Sequence, residues 1–169
     1  MRHVITALVQ NKPGVLAHVA GMFAARGFNI DSLVVGRTED PDLSRMTIVV
    51  MGDDRTLEQV RKQLEKIVTV VKVRDFEAVQ YLERDLMLIR IHALAEKRGE
   101  VVEVVNLFRG RVVDVARTSV LVELSGTEGK IEAFVELVRP YGIRELARTG
   151  VIAMSRGQQR EGKAEPAED

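Results

Sequence analysis

Cysteine and tryptophan are both absent from this chain of 169 residues, and aromatic residues make up only 4% of it. Without cysteine, the chain can form neither a disulfide framework nor a thiolate zinc site, so a reducing cytoplasm is the simplest compartment. No apolar run approaches the roughly 18 residues that a membrane-spanning helix needs, and the first residues enter directly into a strand pattern. We therefore expect a cytoplasmic protein without a secretory or membrane segment.

Net charge is absent as well, because 25 basic residues balance 25 acidic ones. A balanced chain lacks the general attraction to phosphates on which nucleic-acid binders rely. RNA-recognition motifs also need exposed aromatic residues on two central strands, and the strand-like segments 4–9 and 45–51 contain none. We expect no nucleic-acid partner.

Groups suited to catalysis or to metal binding are sparse. The three histidines, His3, His18 and His92, are far apart in the sequence, and no cluster of His, Asp or Glu has ligand spacing. The segment 126–130 contains Gly-Thr-Glu-Gly-Lys, which is too short for a phosphate loop and is better explained as a helix start capped by Thr127. We expect no catalytic residue, no metal and no cofactor on this chain.

Apolar periodicity and turn residues give a repeated order of elements. The first half predicts strand 4–9, a helix from about Pro13 to Gly27, a hairpin of strands 28–37 and 45–51, a helix opening at 53–56 and strand 68–76. The second half predicts strand 86–93, helix 96–108, strands 111–116 and 119–124, helix 127–138 and strand 143–148. Both halves have the order βαββαβ, which predicts two α+β sandwiches in tandem.

These elements divide the chain into two domains and a tail. We predict a first domain over residues 1–77, a linker over 78–83, a second domain over 84–156 and a disordered tail over 157–169. The tail has no large apolar residue, so it cannot offset its ordering entropy. A last apolar segment, 151–154, is expected to pack on the second domain.

The first helix begins at a candidate binding site. The first backbone N–H groups of a helix lack internal partners and carry partial positive charge, which favours a carboxylate there. Gly14 would let a ligand approach this backbone. Pro13 and Gly14 can also simply start a helix, so the pattern by itself leaves both interpretations open.

Further motifs carry a resemblance to a known family. The segments are Asn-Lys-Pro-Gly-Val-Leu at 11–16, Gly-Phe-Asn-Ile-Asp-Ser-Leu at 27–33 and Leu-Ser-Arg-Met-Thr-Ile at 43–48, followed in the second half by 84–89, 108–115, 123–127 and 148–157. The first segments resemble the ACT domain, and together they resemble the regulatory small subunit of acetolactate synthase. Residues 93–100 and the acidic tail lie outside the shared pattern. The implied fold is an N-terminal ACT domain followed by a second ACT-like domain, both ferredoxin-like.

The resemblance also implies a homodimer with an amino acid bound between two ACT domains. It assigns the carboxylate and ammonium contacts to one chain and the closing contacts to its neighbour, with an apolar wall for an aliphatic side chain. The implied contact residues are Asn11, Gly14, Val15 and Leu16 from one chain and Asn29 and Ile30 from the other, with Val35 as a further wall residue. Asp31 is a less favoured ammonium partner.

The implied function is regulation rather than catalysis. In the family that this chain resembles, the small subunit docks on a large catalytic subunit. That catalytic subunit uses thiamine diphosphate, Mg²⁺ and FAD to condense pyruvate into acetolactate. The small subunit raises the activity of the catalytic subunit and confers feedback inhibition by valine, or by leucine or isoleucine. The second domain is implied to contribute to contact with the catalytic subunit, with Arg109, Arg148 and Arg156 as candidates. The alternative is a stand-alone amino-acid sensor acting on another protein; the neutral charge and the lack of a helix-turn-helix segment count against its transcriptional form.

Overall fold

The computed structural model describes residues 1–76 and 80–157. Residues 77–79 and 158–169 lie outside the described residues, and with them part of the predicted linker and nearly all of the predicted disordered tail. We refer to residues 1–76 as the first unit and to residues 80–157 as the second unit.

The first unit is a four-stranded antiparallel sheet with two helices on one face. Its elements are β1 (Arg2–Gln10), α1 (Val15–Ala25), β2 (Ile30–Arg37), β3 (Leu43–Met51), α2 (Asp54–Leu64) and β4 (Val70–Asp75), and the strand order is β2-β3-β1-β4. Side chains alternate along β1, so Ile5, Ala7 and Val9 are buried with Phe23 of α1 and Leu64 of α2. β2 lies at the edge of the sheet.

The second unit repeats this plan and adds a strand. Its elements are β5 (Tyr81–His92), α3 (Ala95–Leu107), β6 (Arg111–Val115), β7 (Ser119–Gly126), α4 (Glu128–Val138), a 3₁₀ turn (Arg139–Tyr141), β8 (Ile143–Arg148) and β9 (Ile152–Ser155). The strand order is β6-β7-β5-β8, and β9 pairs with the start of β5. The core includes Ile89, Leu124 and Phe134. The two units confirm the predicted α+β fold with two tandem βαββαβ sandwiches.

Local sequence signals explain where the helices begin. Asp53 caps α2 by accepting the backbone N–H of Thr56 at 2.8 Å, and Thr127 caps α4 by accepting the backbone N–H of Lys130 at 3.4 Å. The predicted Thr127 cap is therefore confirmed. Helix α1 begins at Val15 rather than at Pro13, because Gly14 has a left-handed backbone with φ of 84° and cannot belong to the first helical turn.

The join between the units differs from the prediction. β5 starts at Tyr81 rather than at Leu86, since residues 81–84 pair with β9, so residues 81–83 of the predicted linker lie in a strand. The segment 151–154 packs on both units rather than on the second alone. Its backbone pairs in the second unit, but the buried side chains of Val151 and Ala153 cluster with Val4 and Val49 of the first sheet. Burying these apolar groups between the units favours their contact.

No helix within residues 1–76 and 80–157 has the length and apolar character needed to cross a bilayer. The longest of the four is α3, with 13 residues. All four helices pack against a sheet through part of their surface, which is the arrangement expected of amphipathic helices in layered domains.

Candidate functional site

The loop between β1 and α1 is held in place by the hairpin turn that joins β2 to β3. Asn11 donates its backbone N–H to the carbonyl oxygen of Asp42 at 2.7 Å and its side-chain Nδ2 to the carbonyl oxygen of Pro41 at 2.9 Å. The turn itself is closed by the Thr38 hydroxyl, which donates to the Asp40 carbonyl oxygen at 3.0 Å. These bonds present the side-chain oxygen of Asn11 and the backbone of Gly14 from an anchored loop.

The start of α1 is open to a ligand. No side chain caps this helix, and a Cβ added at Gly14 would meet nothing within 4 Å. Within the described residues, the backbone N–H groups of Leu16 and Ala17 have no hydrogen-bond acceptor. Unpaired N–H groups at a helix start attract a carboxylate through hydrogen bonds and through the helix dipole. The arrangement can therefore bind the carboxylate of a small ligand.

The predicted apolar wall is split between buried and exposed residues. Val15 is buried in the core, so it can offer a ligand only its backbone. Leu16 is 46% exposed on the first turn of α1, and Val35 is 41% exposed on the edge strand β2. Val35 lies opposite the buried Met46, which places it on the helix-covered face of the sheet. Both exposed side chains are therefore available to an aliphatic ligand near the sheet edge.

Asn29 and Ile30 lie at the far end of the first sheet from this loop. On β3, Val50 pairs with Ile30, whereas Leu43 pairs with Gln10, next to Asn11. Seven residues of strand separate these two β3 positions, which corresponds to about 23 Å. One chain therefore does not bring the two predicted halves of the site together. The assignment of Asn29 and Ile30 to the same pocket as Asn11 stays a prediction that needs a second copy of the chain.

The histidines and the candidate arginines have other surroundings. His3 is buried, with Nε2 3.1 Å from the carbonyl oxygen of Gly52, and His92 has Nδ1 2.6 Å from Nη2 of Arg144. His18 is exposed on α1. Across residues 1–76 and 80–157, no three His, Cys, Asp or Glu side chains form a group that could hold a metal ion. Arg109 and Arg156 are exposed.

Arg148, by contrast, is engaged inside the chain. Its Nε and Nη2 lie 2.8 and 2.7 Å from Oδ2 of the buried Asp85, and its Nη1 donates to Glu132 at 2.5 Å. Partial burial lowers the pKa of Arg148, but the hydrogen bonds and charges of Asp85 and Glu132 outweigh it, so the net pKa is raised. A structural role within the second unit therefore accounts for this guanidinium.

A second network, also missed by sequence reasoning, joins the two units. Nη1 of Arg2 donates to Glu83 at 2.9 Å, and Nε of Arg2 lies 2.6 Å from Glu128. Partial burial lowers the pKa of Arg2, while these two carboxylates raise it by a larger amount. The Ser32 hydroxyl of β2 accepts the backbone N–H of Val151 at 3.2 Å. No sequence motif signals these contacts, because they connect residues more than 80 positions apart.

Comparison with known proteins matches both units of the fold. Residues 5–72 match the family model described as the AHAS small subunit-like ACT domain, and residues 84–157 match the model of the small subunit of acetolactate synthase. The chain belongs to the acetolactate synthase small-subunit family. The resemblance seen in the sequence, including the N-terminal ACT domain, is thereby confirmed.

Individual relatives agree over nearly full length. The chain is 58% identical over 160 residues to a probable acetolactate synthase small subunit of Archaeoglobus fulgidus, covering 95% of this chain and 100% of the relative. It is 50% identical over 155 residues to the acetolactate synthase small subunit of Mycolicibacterium smegmatis, covering 92% and 91%. The crystal structure of the acetolactate synthase small subunit from Thermotoga maritima superposes with a TM-score of 0.87 at 43% identity, covering 94% of this chain and 99% of that one.

Membership of this family gives the chain a regulatory role beside a catalytic large subunit. The uncapped helix start at Gly14 is a defined candidate for ligand binding. A regulatory chain needs such a site rather than a catalytic one, since its effect comes from binding free energy.

Proposed function

We propose that this chain activates the catalytic subunit of acetolactate synthase and confers feedback inhibition by valine or another branched-chain amino acid. The thiamine diphosphate, Mg²⁺ and FAD of the reaction would belong to the catalytic subunit. Membership of the small-subunit family supports the partner, and the uncapped start of α1 at Gly14 supports the effector site. The uncapped start of α1 is the observation that supports a binding role for this chain's own residues.

The effector chemistry follows from the groups at this helix start. The free N–H groups of Leu16 and Ala17 would bind the amino-acid carboxylate, with a contribution of about 0.3–1 kcal/mol from the helix dipole in addition to the hydrogen bonds. The Asn11 side-chain oxygen would accept from the ammonium group, because its Nδ2 already donates to Pro41. Leu16 and Val35 would contact the aliphatic side chain. This set favours a small apolar amino acid.

A homodimer would complete the site. β2 is an edge strand, and antiparallel pairing of β2 with its copy around a two-fold axis would place the start of one β2 beside the end of the other. At the end of β2, Arg37 pairs with Ser44 of β3. The neighbouring β3 residue, Leu43, pairs with Gln10, which directly precedes Asn11. Such pairing would therefore bring Asn29 and Ile30 of one copy towards the helix start of the other. It would also satisfy an otherwise unpaired sheet edge.

Calorimetry and reconstitution test this proposal together. The purified chain is titrated with L-valine, L-leucine and L-isoleucine, and the acetolactate-forming activity of the catalytic subunit is measured with and without the chain and each amino acid. We expect saturable heat with at least one of the three, higher activity when the chain is added, and inhibition by the amino acid that binds. An activated enzyme that none of the three amino acids inhibits, together with no heat, would overturn the effector assignment.

A further inference from the structure

Strand β2 takes part in two contacts that the fold otherwise keeps apart. Its start carries Ile30, which follows Asn29 and belongs to the proposed effector site. Two residues later, the Ser32 hydroxyl accepts the backbone N–H of Val151, which belongs to the turn between β8 and β9 of the second unit. The same short segment therefore touches the predicted effector site at one end and the second unit at the other.

The turn at Gly150 fits closely on β2. Gly150 has φ of 85°, and a Cβ added there would lie 2.6 Å from Oγ of Ser32 and 3.0 Å from Cγ2 of Val34. Glycine is required here twice, by the backbone conformation and by the approach of the strand. We call the contact of Ser32 with Gly150 and Val151 the β2 contact.

The second unit holds its side of the β2 contact firmly. The Thr149 hydroxyl lies 2.9 Å from the carbonyl oxygen of Gly150 and 3.3 Å from Oδ1 of the buried Asp85, and it accepts the backbone N–H of Leu86 at 3.1 Å. Val151, on the other side of Gly150, is buried against Val49 of the first sheet. Because the turn 149–151 is held by these contacts, a displacement of β2 at Ser32 would also displace β5.

On the first unit, β2 has a place where it can adjust. Pairing with β3 passes from Ile30 opposite Val50 to Ser32 opposite Val49, so Asp31 is an extra residue at a bulge. Bulges bend a strand locally and re-aim the neighbouring side chains. A cleft of about 430 Å³ lies beside this bulge, between Asp31 to Leu33 and the second unit.

We propose that the β2 contact couples the effector site to the second unit, with Ser32 and Gly150 as positioning residues. The proposal rests on the function proposed above and specifies how it is regulated. When an effector binds at Ile30, β2 changes its path at the bulge and the β2 contact changes with it. An effector can influence the catalytic subunit only if the two states differ in free energy at such a contact.

Two variants remove the contact and two matched variants control for them. Ser32→Ala removes the acceptor of the Val151 N–H, and Ser125→Ala removes an exposed strand serine whose hydroxyl has no bond within the described chain. Gly150→Ala drives a methyl group into β2, whereas Gly142→Ala also places a side chain at positive φ, of 99°, with only an ordinary 3.5 Å contact to His92.

Binding and coupling are measured separately. Calorimetry gives the dissociation constant for L-valine with the chain alone and with the reconstituted complex. Hydrogen exchange of residues 149–155 is followed in the chain alone, with and without L-valine. For the parent and both controls we expect L-valine to change the exchange of this segment and to inhibit the complex. For Ser32→Ala and Gly150→Ala we expect the dissociation constant of the chain alone to stay within about twofold, with no change in exchange and at least about fivefold weaker inhibition.

The outcomes separate this proposal from the one on which it rests. If the parent chain binds none of L-valine, L-leucine and L-isoleucine, the proposed function fails; if it binds one of the other two instead, the same measurements are made with that amino acid. If the parent responds but Ser32→Ala and Gly150→Ala are inhibited as strongly as the parent, the coupling role is wrong while the effector site stands. If the two variants lose L-valine binding itself, or if the controls lose coupling equally, the β2 contact serves folding or binding and the inference is overturned.

Discussion

Arg148 directs two N–H groups at one oxygen of Asp85, with its Nε and Nη2 at 2.8 and 2.7 Å from Oδ2, and the Asp85 side chain has no exposed surface. The pair joins the last residue of β8 to the fifth residue of β5, directly before the turn 149–151 that contacts the first unit. Arg148 itself is 29% exposed and also bonds Glu132. The two partners of this pair therefore differ in how far water can reach them.

Replacing Arg148 with Met should destabilise the chain strongly. The substitution leaves a buried carboxylate with only the Thr149 hydroxyl as a side-chain partner, and breaking a buried pair from one side costs about 3–5 kcal/mol. Because Arg148 is partly exposed, we expect the lower end, about 3 kcal/mol, in the free energy of unfolding from urea denaturation. The control Glu132→Gln removes the charge of the exposed partner while keeping an oxygen that can accept from Arg148, and it should cost less than about 1 kcal/mol. Equal losses in the two variants would contradict the assignment.

The fold could be predicted where the secondary structure of a segment depends on residues close to it in the sequence. Ile5, Ala7 and Val9 alternate along β1, and Asp53 with Thr56 marks the start of α2, so both elements are visible in a short window. The strand at Tyr81 could not be predicted in this way, because residues 81–84 mix apolar and charged side chains like a linker. Their strand state depends on pairing with β9, about 70 residues later.

The candidate site was predictable only in part for the same reason. A helix start near Gly14 follows from a local pattern, although α1 begins at Val15 rather than at the predicted Pro13. The separation of Ile30 from that helix start follows from strand register, which depends on β3 and on no motif. Ser32 and Val151 are 119 residues apart, and neither residue type signals the contact. Long-range packing therefore decides the features that local patterns leave open.

The cap of α2 gives a prediction that depends on pH. The pKa of Asp53 is lowered, first by the hydrogen bond from the Thr56 hydroxyl and then by that from the Thr56 backbone N–H. A carboxylate with a lowered folded-state pKa contributes stability above its unfolded pKa and loses that contribution as the pH falls through the folded value.

Asp53→Ala should therefore lower the melting temperature by about 2–4 °C near pH 7. The gap between parent and variant should stay constant down to about pH 5 and narrow progressively below about pH 4, where the parent carboxylate becomes protonated. Thermal unfolding followed by circular dichroism at several pH values measures this difference in melting temperature. Asp54→Ala, which removes the neighbouring first-turn carboxylate without removing the cap, should give a smaller decrease. A gap that widens in acid would show that the cap does not stabilise the folded state through its ionised form.

The proposed homodimer predicts a specific effect at the sheet edge. Val35 is 41% exposed on β2, so Val35→Lys should leave the fold intact while placing two ammonium groups near the two-fold axis of the dimer. We expect the dimer dissociation constant from sedimentation equilibrium to rise at least about tenfold, and the effect to weaken at high salt. Val68→Lys, at a 92% exposed position in the turn before β4, is the matched control and should stay dimeric. A parent chain that is monomeric at all concentrations would refute the shared site.

The effector site itself is tested by a charge at the helix start. Gly14 has φ of 84°, a Cβ added there would meet no atom within 4 Å, and aspartate tolerates this backbone region better than most residues, so Gly14→Asp should fold. Its carboxylate would compete for the N–H groups of Leu16 and Ala17 and repel the carboxylate of an amino acid. We expect L-valine binding by calorimetry to weaken at least about tenfold, while the reconstituted catalytic subunit is still activated.

Gly157→Asp adds the same charge at φ of 66° in an equally open position far along the chain, and it should bind and regulate like the parent. If Gly14→Asp were inhibited by L-valine at the parent's concentration, the effector would have to bind elsewhere.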